Sequence, residues 1–134
     1  MLFTEVLINA SKIKFIGLSF NEDIISKEVN GEMFYIIGND YEDLLGIRKL
    51  DLNVFSISDN DMVFINSSLE QLIDCINCFI NSIIDLDEDD FDEEKRTKEV
   101  RMVSKKIKNI DKKALLDENY WWSLILEQVE DGLL

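Results

Sequence analysis

The stretch Met62-Val63-Phe64-Ile65-Asn66-Ser67-Ser68-Leu69-Glu70-Gln71-Leu72-Ile73 holds the change of period on which the fold turns. Met62 to Asn66 is a short, largely apolar run with β-branched and aromatic residues, the composition of a strand. Ser67-Ser68-Leu69-Glu70 then fits a capping box, with Ser67 at the N-cap and Glu70 at the third helical position. Beyond it Leu69, Leu72, Ile73, Ile76, Phe79, Ile80, Ile83 and Ile84 recur at helical spacing. At ~100° per residue they fill one stripe about 140° wide, the mark of an amphipathic helix. Strands are therefore predicted before Asn66 and helices after Ser67.

Upstream the strand pattern repeats. Lys12 to Leu18 is apolar and partly alternating, and Glu32 to Gly38 is an apolar run closed by the turn signal Gly38-Asn39-Asp40. Leu44 to Lys49, Val54 to Ser58 and Met62 to Asn66 follow, joined by Leu50-Asp51-Leu52-Asn53 and Asp59-Asn60-Asp61. Links that short fit hairpins, so the last three strands form an antiparallel meander. Downstream a second helix is predicted from near Glu93 to Asn109 on the stripe Val100, Val103, Ile107 and Ile110. A third starts after Asp117 and uses Trp122, Ile125, Leu126, Val129 and Leu133. Strands in the first half and helices in the second mean an α+β fold: a twisted, mostly antiparallel sheet of about five strands packed against helices. The 134 residues are one domain's worth.

Composition argues against most hydrolytic enzyme classes. There is no histidine, hence no Ser-His or Cys-His nucleophile pair and none of the commonest zinc ligand. Gly17 and Gly38 belong to no phosphate-binding motif, and no serine stands in a Gly-x-Ser-x-Gly context. No cofactor is expected. Twenty-eight acidic against 14 basic residues give a net charge of −14, which disfavours nucleic acid and anionic membranes as partners. The first residues lack the basic start and long apolar stretch of a signal peptide, and no apolar run approaches the ~20 residues that span a bilayer. An intracellular protein is expected.

The charge is unevenly spread. Residues 1–94 hold 21 acids and 5 bases, residues 95–113 hold 9 bases and 2 acids, and residues 114–134 hold 5 acids and no base. Eight of the ten residues from Asp85 to Glu94 are acidic. No glycine supplies the sharp turn of a calcium loop there. The segment reads either as a solvated linker or as a docking surface for a basic partner, and the basic helix after it is able to neutralise it. Lys105, Lys106, Lys108, Lys112 and Lys113 read as a charged solvent face. Cys75 and Cys78 sit mid-helix, away from the helix N-terminus that activates a redox thiol. Helical geometry puts Cys78 opposite the apolar stripe and Cys75 on its flank. Tyr120-Trp121-Trp122 concentrate apolar area. Adjacent tryptophans lie ~100° apart on a helix, so one is placed in the core and its neighbour is free to lie at an edge or a binding surface.

A set of these residues resembles the SUKH superfamily, the Smi/Knr-type fold, and is most similar to its fourth family. Phe15-Ile16-Gly17-Leu18-Ser19 is similar to the family's Gly-Leu-Pro segment. Ile37-Gly38-Asn39-Asp40-Tyr41 is similar to the end of the next strand, and Leu44 to Ser58 to a two-strand unit. Val63 to Glu70 resembles the phrase that opens the long helix, and Tyr120 to Glu127 the closing Trp-bearing helix. The likeness runs from about residue 12 to the end. Ser19 stands where proline is expected, the Leu50–Asn53 turn lacks the glycine often found there, and the segment before Lys12 is short for the family's N-terminal helix.

The resemblance implies a bacterial immunity protein of a polymorphic toxin system. Such a protein binds a cognate toxin domain, often a nuclease or nucleic-acid deaminase, and neutralises it in the cytoplasm. It implies structural roles for Gly17, Gly38, Asn66, Ser67 and Trp122, with Asn66 bracing the strand–helix junction. A basic toxin suits the negative charge, and Asp87, Glu88, Asp89 and Asp90 are candidates for phosphate mimicry. Trp121 is a candidate contact, above all in the alternative, a non-catalytic regulatory or scaffold module that binds another protein through its Trp helix.

Overall fold

A computed structural model describes residues 15–59, 61–83 and 93–132. Among the described residues five strands come first: β1 (Leu18–Val29), β2 (Glu32–Asp40), β3 (Asp43–Arg48), β4 (Val54–Ile57) and β5 (Met62–Asn66). They lie side by side in chain order, every neighbouring pair antiparallel. Three helices follow: α1 (Leu69–Ile83), α2 (Glu93–Ile110) and α3 (Trp121–Glu130), with a 3-10 turn at Lys112–Leu115 between the last two. The fold is α+β, strands first and helices after, as the change of period at Asn66 requires.

The first strand departs from expectation. Lys12 to Lys14 lie outside the described residues. Phe15 makes only an isolated bridge to Leu18, and Ile16 at φ +57° turns the chain there. The strand begins at Leu18 and continues through the polar residues Asn21 to Glu28, which the sequence reading left unassigned. It ends in a two-residue turn, Asn30 and Gly31, both with positive φ (+53° and +84°), the backbone of a tight type I′ hairpin.

The sheet curls because its ladders slip. Register shifts fall between Phe20 and Ile25, between Ile36 and Gly38, and between Val54 and Phe55. Each slip bends its strand and adds twist. Gly38 permits the closest approach: a Cβ there would run into the Ser19 carbonyl oxygen on β1. A Cβ on Gly17 would meet the Tyr41 ring, which arches over it while the Tyr41 N–H donates to the Gly17 carbonyl at 2.8 Å.

One face of the sheet packs on the helices. Ile37, Leu45, Ile47, Val54 and Ile65 meet Leu72 and Ile76 of α1, Val103 and Ile107 of α2, and Trp122 and Leu126 of α3 in one cluster. Phe15 is buried in it, 5.0 Å from Phe79 and 5.8 Å from Trp122 between ring centroids. Each fully buried aliphatic side chain there contributes about 1.5–3 kcal/mol.

α1 is capped one residue later than expected. Its first residue is Leu69, so Ser68 holds the N-cap position, and the Gln71 N–H donates to Ser68 Oγ at 3.2 Å. The Gln71 amide then donates to the Ile110 carbonyl at the end of α2. Ser67 is released from capping for a tertiary contact.

Candidate functional site

Two polar centres lie on the helix-covered face. The first joins the β5–α1 junction to the rest. Asn66 is fully buried. Its Nδ2 donates to Asp111 Oδ2 at 2.9 Å, and its Oδ1 accepts from Trp122 Nε1 at 2.8 Å. Asp111, 3% exposed, also accepts from the Ser67 N–H at 2.7 Å and from Ser67 Oγ at 2.8 Å. It caps the 3-10 turn by accepting from the Lys113 N–H. One carboxylate thus ties β5, α1, the end of α2 and, through Asn66, α3. In the second centre Asp40 is buried and accepts from Ser56 Oγ at 2.8 Å and Trp121 Nε1 at 3.1 Å. No buried side-chain nitrogen or oxygen among the described residues lacks a partner. These centres are complete internally, which is what a buried charge needs in order to be tolerated.

Both tryptophans belong to this interior. Trp122 is fully buried and Trp121 is 6% exposed, the two rings 4.9 Å apart and perpendicular. The expectation of a Trp121 available to a partner is corrected. The start of α3 is enclosed on two sides, so positions ~100° apart both face protein. Cys75 is also fully buried rather than flanking, and Cys78 is half-buried. Burial pushes the Cys75 thiol up to about 12, assisted by the nearby Asp111 carboxylate and opposed by the Asn66 amide. Burial in this setting favours the neutral thiol over the thiolate that redox chemistry uses.

The other face is finished differently. Phe34, Ile36, Phe55, Ile57 and Phe64 form a second cluster. Three rings cross it in edge contact, Phe34 to Phe55 at 6.2 Å and Phe55 to Phe64 at 5.8 Å. Gly46 lies beneath: a Cβ there would stand 2.9 Å from Ile57 Cδ1 and 3.3 Å from Ile36 Cδ1. Among the described residues the only side chain from beyond the sheet in this cluster is Tyr120, 4.9 Å from Phe64. Cations cover part of the rest. Arg48 lies 4.7 Å from the Phe55 centroid, and Lys113 Nζ 4.7 Å from that of Phe64. Arg48 is held by Glu32 at 3.5 Å and by two hydrogen bonds to Asp51, which raise its pKa and lower that of Asp51.

A cleft of about 690 Å³ lies on this side. The tip of the β1–β2 hairpin (Lys27 to Asn30), the β2–β3 turn (Glu42 to Leu44) and the end of β4 (Ile57 to Asp59) line it. Its charged residues are Glu28, Glu42, Asp43 and Asp59 against Lys27 alone. Among the described residues none of the four carboxylates has an ion-pair partner. Val29, Leu44 and Ile57 give it apolar area. A smaller cleft of about 330 Å³ on the same face is lined by Phe55, Met62, Phe64, Tyr120 and the cations Arg48 and Lys113. The sequence reading named none of these as site residues. The larger cleft alone draws on three separate stretches of chain, which antiparallel pairing of the strands brings together.

Of the residues singled out by sequence, Asp87, Glu88, Asp89 and Asp90 lie outside the described residues. Asn66, Ser67 and Trp122 converge on the Asp111 centre, Gly17 and Gly38 on close backbone approaches. Asp111 was not singled out; nothing local marks a lone acid between two basic stretches as a buried acceptor. Among the described residues no group of three or more Cys, Asp or Glu is placed to hold a metal ion, and no helix is long and apolar enough to cross a membrane.

Comparison with known proteins agrees with the resemblance. The sequence model of the SUKH-4 immunity protein family matches residues 27–128, from the tip of the first hairpin to the last turns of α3. No curated protein and no solved structure gives a match. With the match spanning well over half of the chain and the sheet-then-helices order in place, the protein belongs to the SUKH-4 immunity protein family.

Proposed function

We propose that this chain is a cytoplasmic, non-catalytic immunity protein that neutralises one cognate toxin domain by stable binding over the toxin's active surface. The family match carries the immunity role. The toxin class is read from charge. A net charge of −14 selects against phosphate backbones and for a basic protein surface, and enzymes that act on nucleic acid present such surfaces. The partner is accordingly a nuclease or a nucleic-acid deaminase. Asp87, Glu88, Asp89 and Asp90 add electrostatic attraction as phosphate mimics, which makes association faster at low salt.

The test is growth rescue. The C-terminal domain of a large secreted protein encoded beside this gene is expressed with and without this chain. Restored growth and a joint peak on size exclusion are expected. Unrelieved toxicity with this chain abundant in the cell contradicts the immunity reading. The scaffold alternative drew its contact from the Trp helix, and the burial of both indoles favours the immunity reading over it.

A further inference from the structure

We infer that the cleft on the open sheet face is where the toxin docks, and that the part it receives is an extended cationic segment, a projecting loop or helix end bearing lysine or arginine. The inference rests on the immunity reading and names the surface that serves it.

Charge defines the occupant first. Glu28, Glu42, Asp43 and Asp59 surround the cleft, Lys27 is its single cation, and no ion pair among the described residues neutralises the four acids. Like charges gathered around a concave surface focus their field outward. Internal needs of the fold do not explain them, because Glu28, Glu42 and Asp59 are exposed and, among the described residues, their side chains enter no hydrogen bond or ion pair. A bound metal ion is the wrong occupant: no three of these groups stand close enough to ligate one. The acids are instead spread along a space of about 690 Å³, a volume suited to side chains on a length of backbone.

Polarity defines it second. Val29, Leu44 and Ile57 supply apolar wall between the carboxylates. Lysine and arginine bury an aliphatic stem along such a wall while the charged head reaches the rim. Nucleic acid is repelled by the same acids. A second copy of this chain brings another net charge of −14 to the contact, so self-association is opposed before any local pairing forms.

The test uses the full chain and an acetylated, amidated penta-lysine peptide as probe. Amide shifts are followed by two-dimensional NMR. Saturable changes are expected at Lys27 to Asn30, Glu42 to Leu44 and Ile57 to Asp59, with affinity falling at least about tenfold from about 20 mM to about 300 mM salt. The triple variant Glu28→Gln, Glu42→Gln, Asp59→Asn is expected to lose them while keeping its dispersed spectrum. Should that variant unfold, Glu42→Gln alone, on an exposed turn, is expected to weaken binding severalfold. Largest shifts outside the cleft, the 85–94 segment included, or a folded variant that binds like wild type, overturn the inference. Growth rescue separates the two claims. A wild-type chain that rescues while the folded triple variant rescues equally well removes the docking surface and leaves immunity standing. A wild-type chain that rescues nothing removes both.

Discussion

The two faces of this sheet carry similar apolar residues and opposite treatments of charge. On the helix-covered face Asp40 and Asp111 are buried, and hydrogen-bond donors from distant parts of the chain converge on each. On the open face Glu28, Glu42, Asp43 and Asp59 ring a cleft with no ion-pair partner among the described residues. Carboxylates that hold the molecule together are matched from within, whereas those with nothing to hold are left for another molecule to match. The contrast separates scaffold from working surface without reference to any relative.

It breaks most visibly at Asp111. Asp111→Ala strips the acceptor from Asn66 Nδ2, the Ser67 N–H and hydroxyl, and the Lys113 N–H. A loss of about 3–4 kcal/mol in urea unfolding is expected, since several buried donors are orphaned at once. A loss below about 1 kcal/mol contradicts the role of Asp111 in tying these elements together.

Gly46→Ala sharpens the comparison from the other side. The new methyl group stands against Ile57 and Ile36 of the open-face cluster, and about 1–3 kcal/mol of destabilisation is expected by overpacking. Neutral stability would mean that the second cluster is loosely packed. Trp121→Phe keeps the ring but withdraws the donor to buried Asp40, for which a loss of about 1–2 kcal/mol is expected by calorimetry or denaturant titration.

A smaller effect is expected at Asp51. Its hydrogen bond to Arg48 holds its carboxyl below the usual carboxylate range. A depressed folded-state pKa contributes stability above the unfolded value, near 3.9, and that contribution disappears as pH falls through the lowered value. Asp51→Asn is therefore expected to trail wild type by no more than about 0.5 kcal/mol at pH 7, because the pair is solvent-screened. The gap should close in acid, and a gap that widens in acid reverses the sign. Smallest of all, the triple amide variant of the cleft is expected within about 0.5 kcal/mol of wild type in stability. A large loss would place those acids in the scaffold after all.

The legibility of the molecule follows the same division. The switch at Asn66 is plain in sequence because period 2 gives way to period 3.6 within a few residues. β1 is not plain: from Asn21 to Glu28 it is an edge strand with little burial on either side, so apolar alternation has nothing to record. The Asn30-Gly31 pair was the available signal, a strong mark of a two-residue hairpin. The cap shifted from Ser67 to Ser68 because two adjacent serines satisfy the local rule and a residue 44 positions away decides between them. Trp121 was misjudged for a related reason: a helical wheel gives the angle between neighbours but not how many sides of the helix are enclosed. The cleft was out of reach of pattern reading, since three separate stretches of chain line it and nothing local marks their meeting.

The most direct measurement of the central claim pits the two charged surfaces against each other in one rescue assay. The cleft variant Glu28→Gln, Glu42→Gln, Asp59→Asn is compared with an α2 variant, Lys105→Gln, Lys106→Gln, Lys108→Gln, on the exposed side of that helix, both at wild-type cellular levels against the cognate toxin domain. The cleft variant should lose protection while the α2 variant keeps it. Protection retained by the cleft variant and lost by the α2 variant would contradict the assignment of the open sheet face as the working surface.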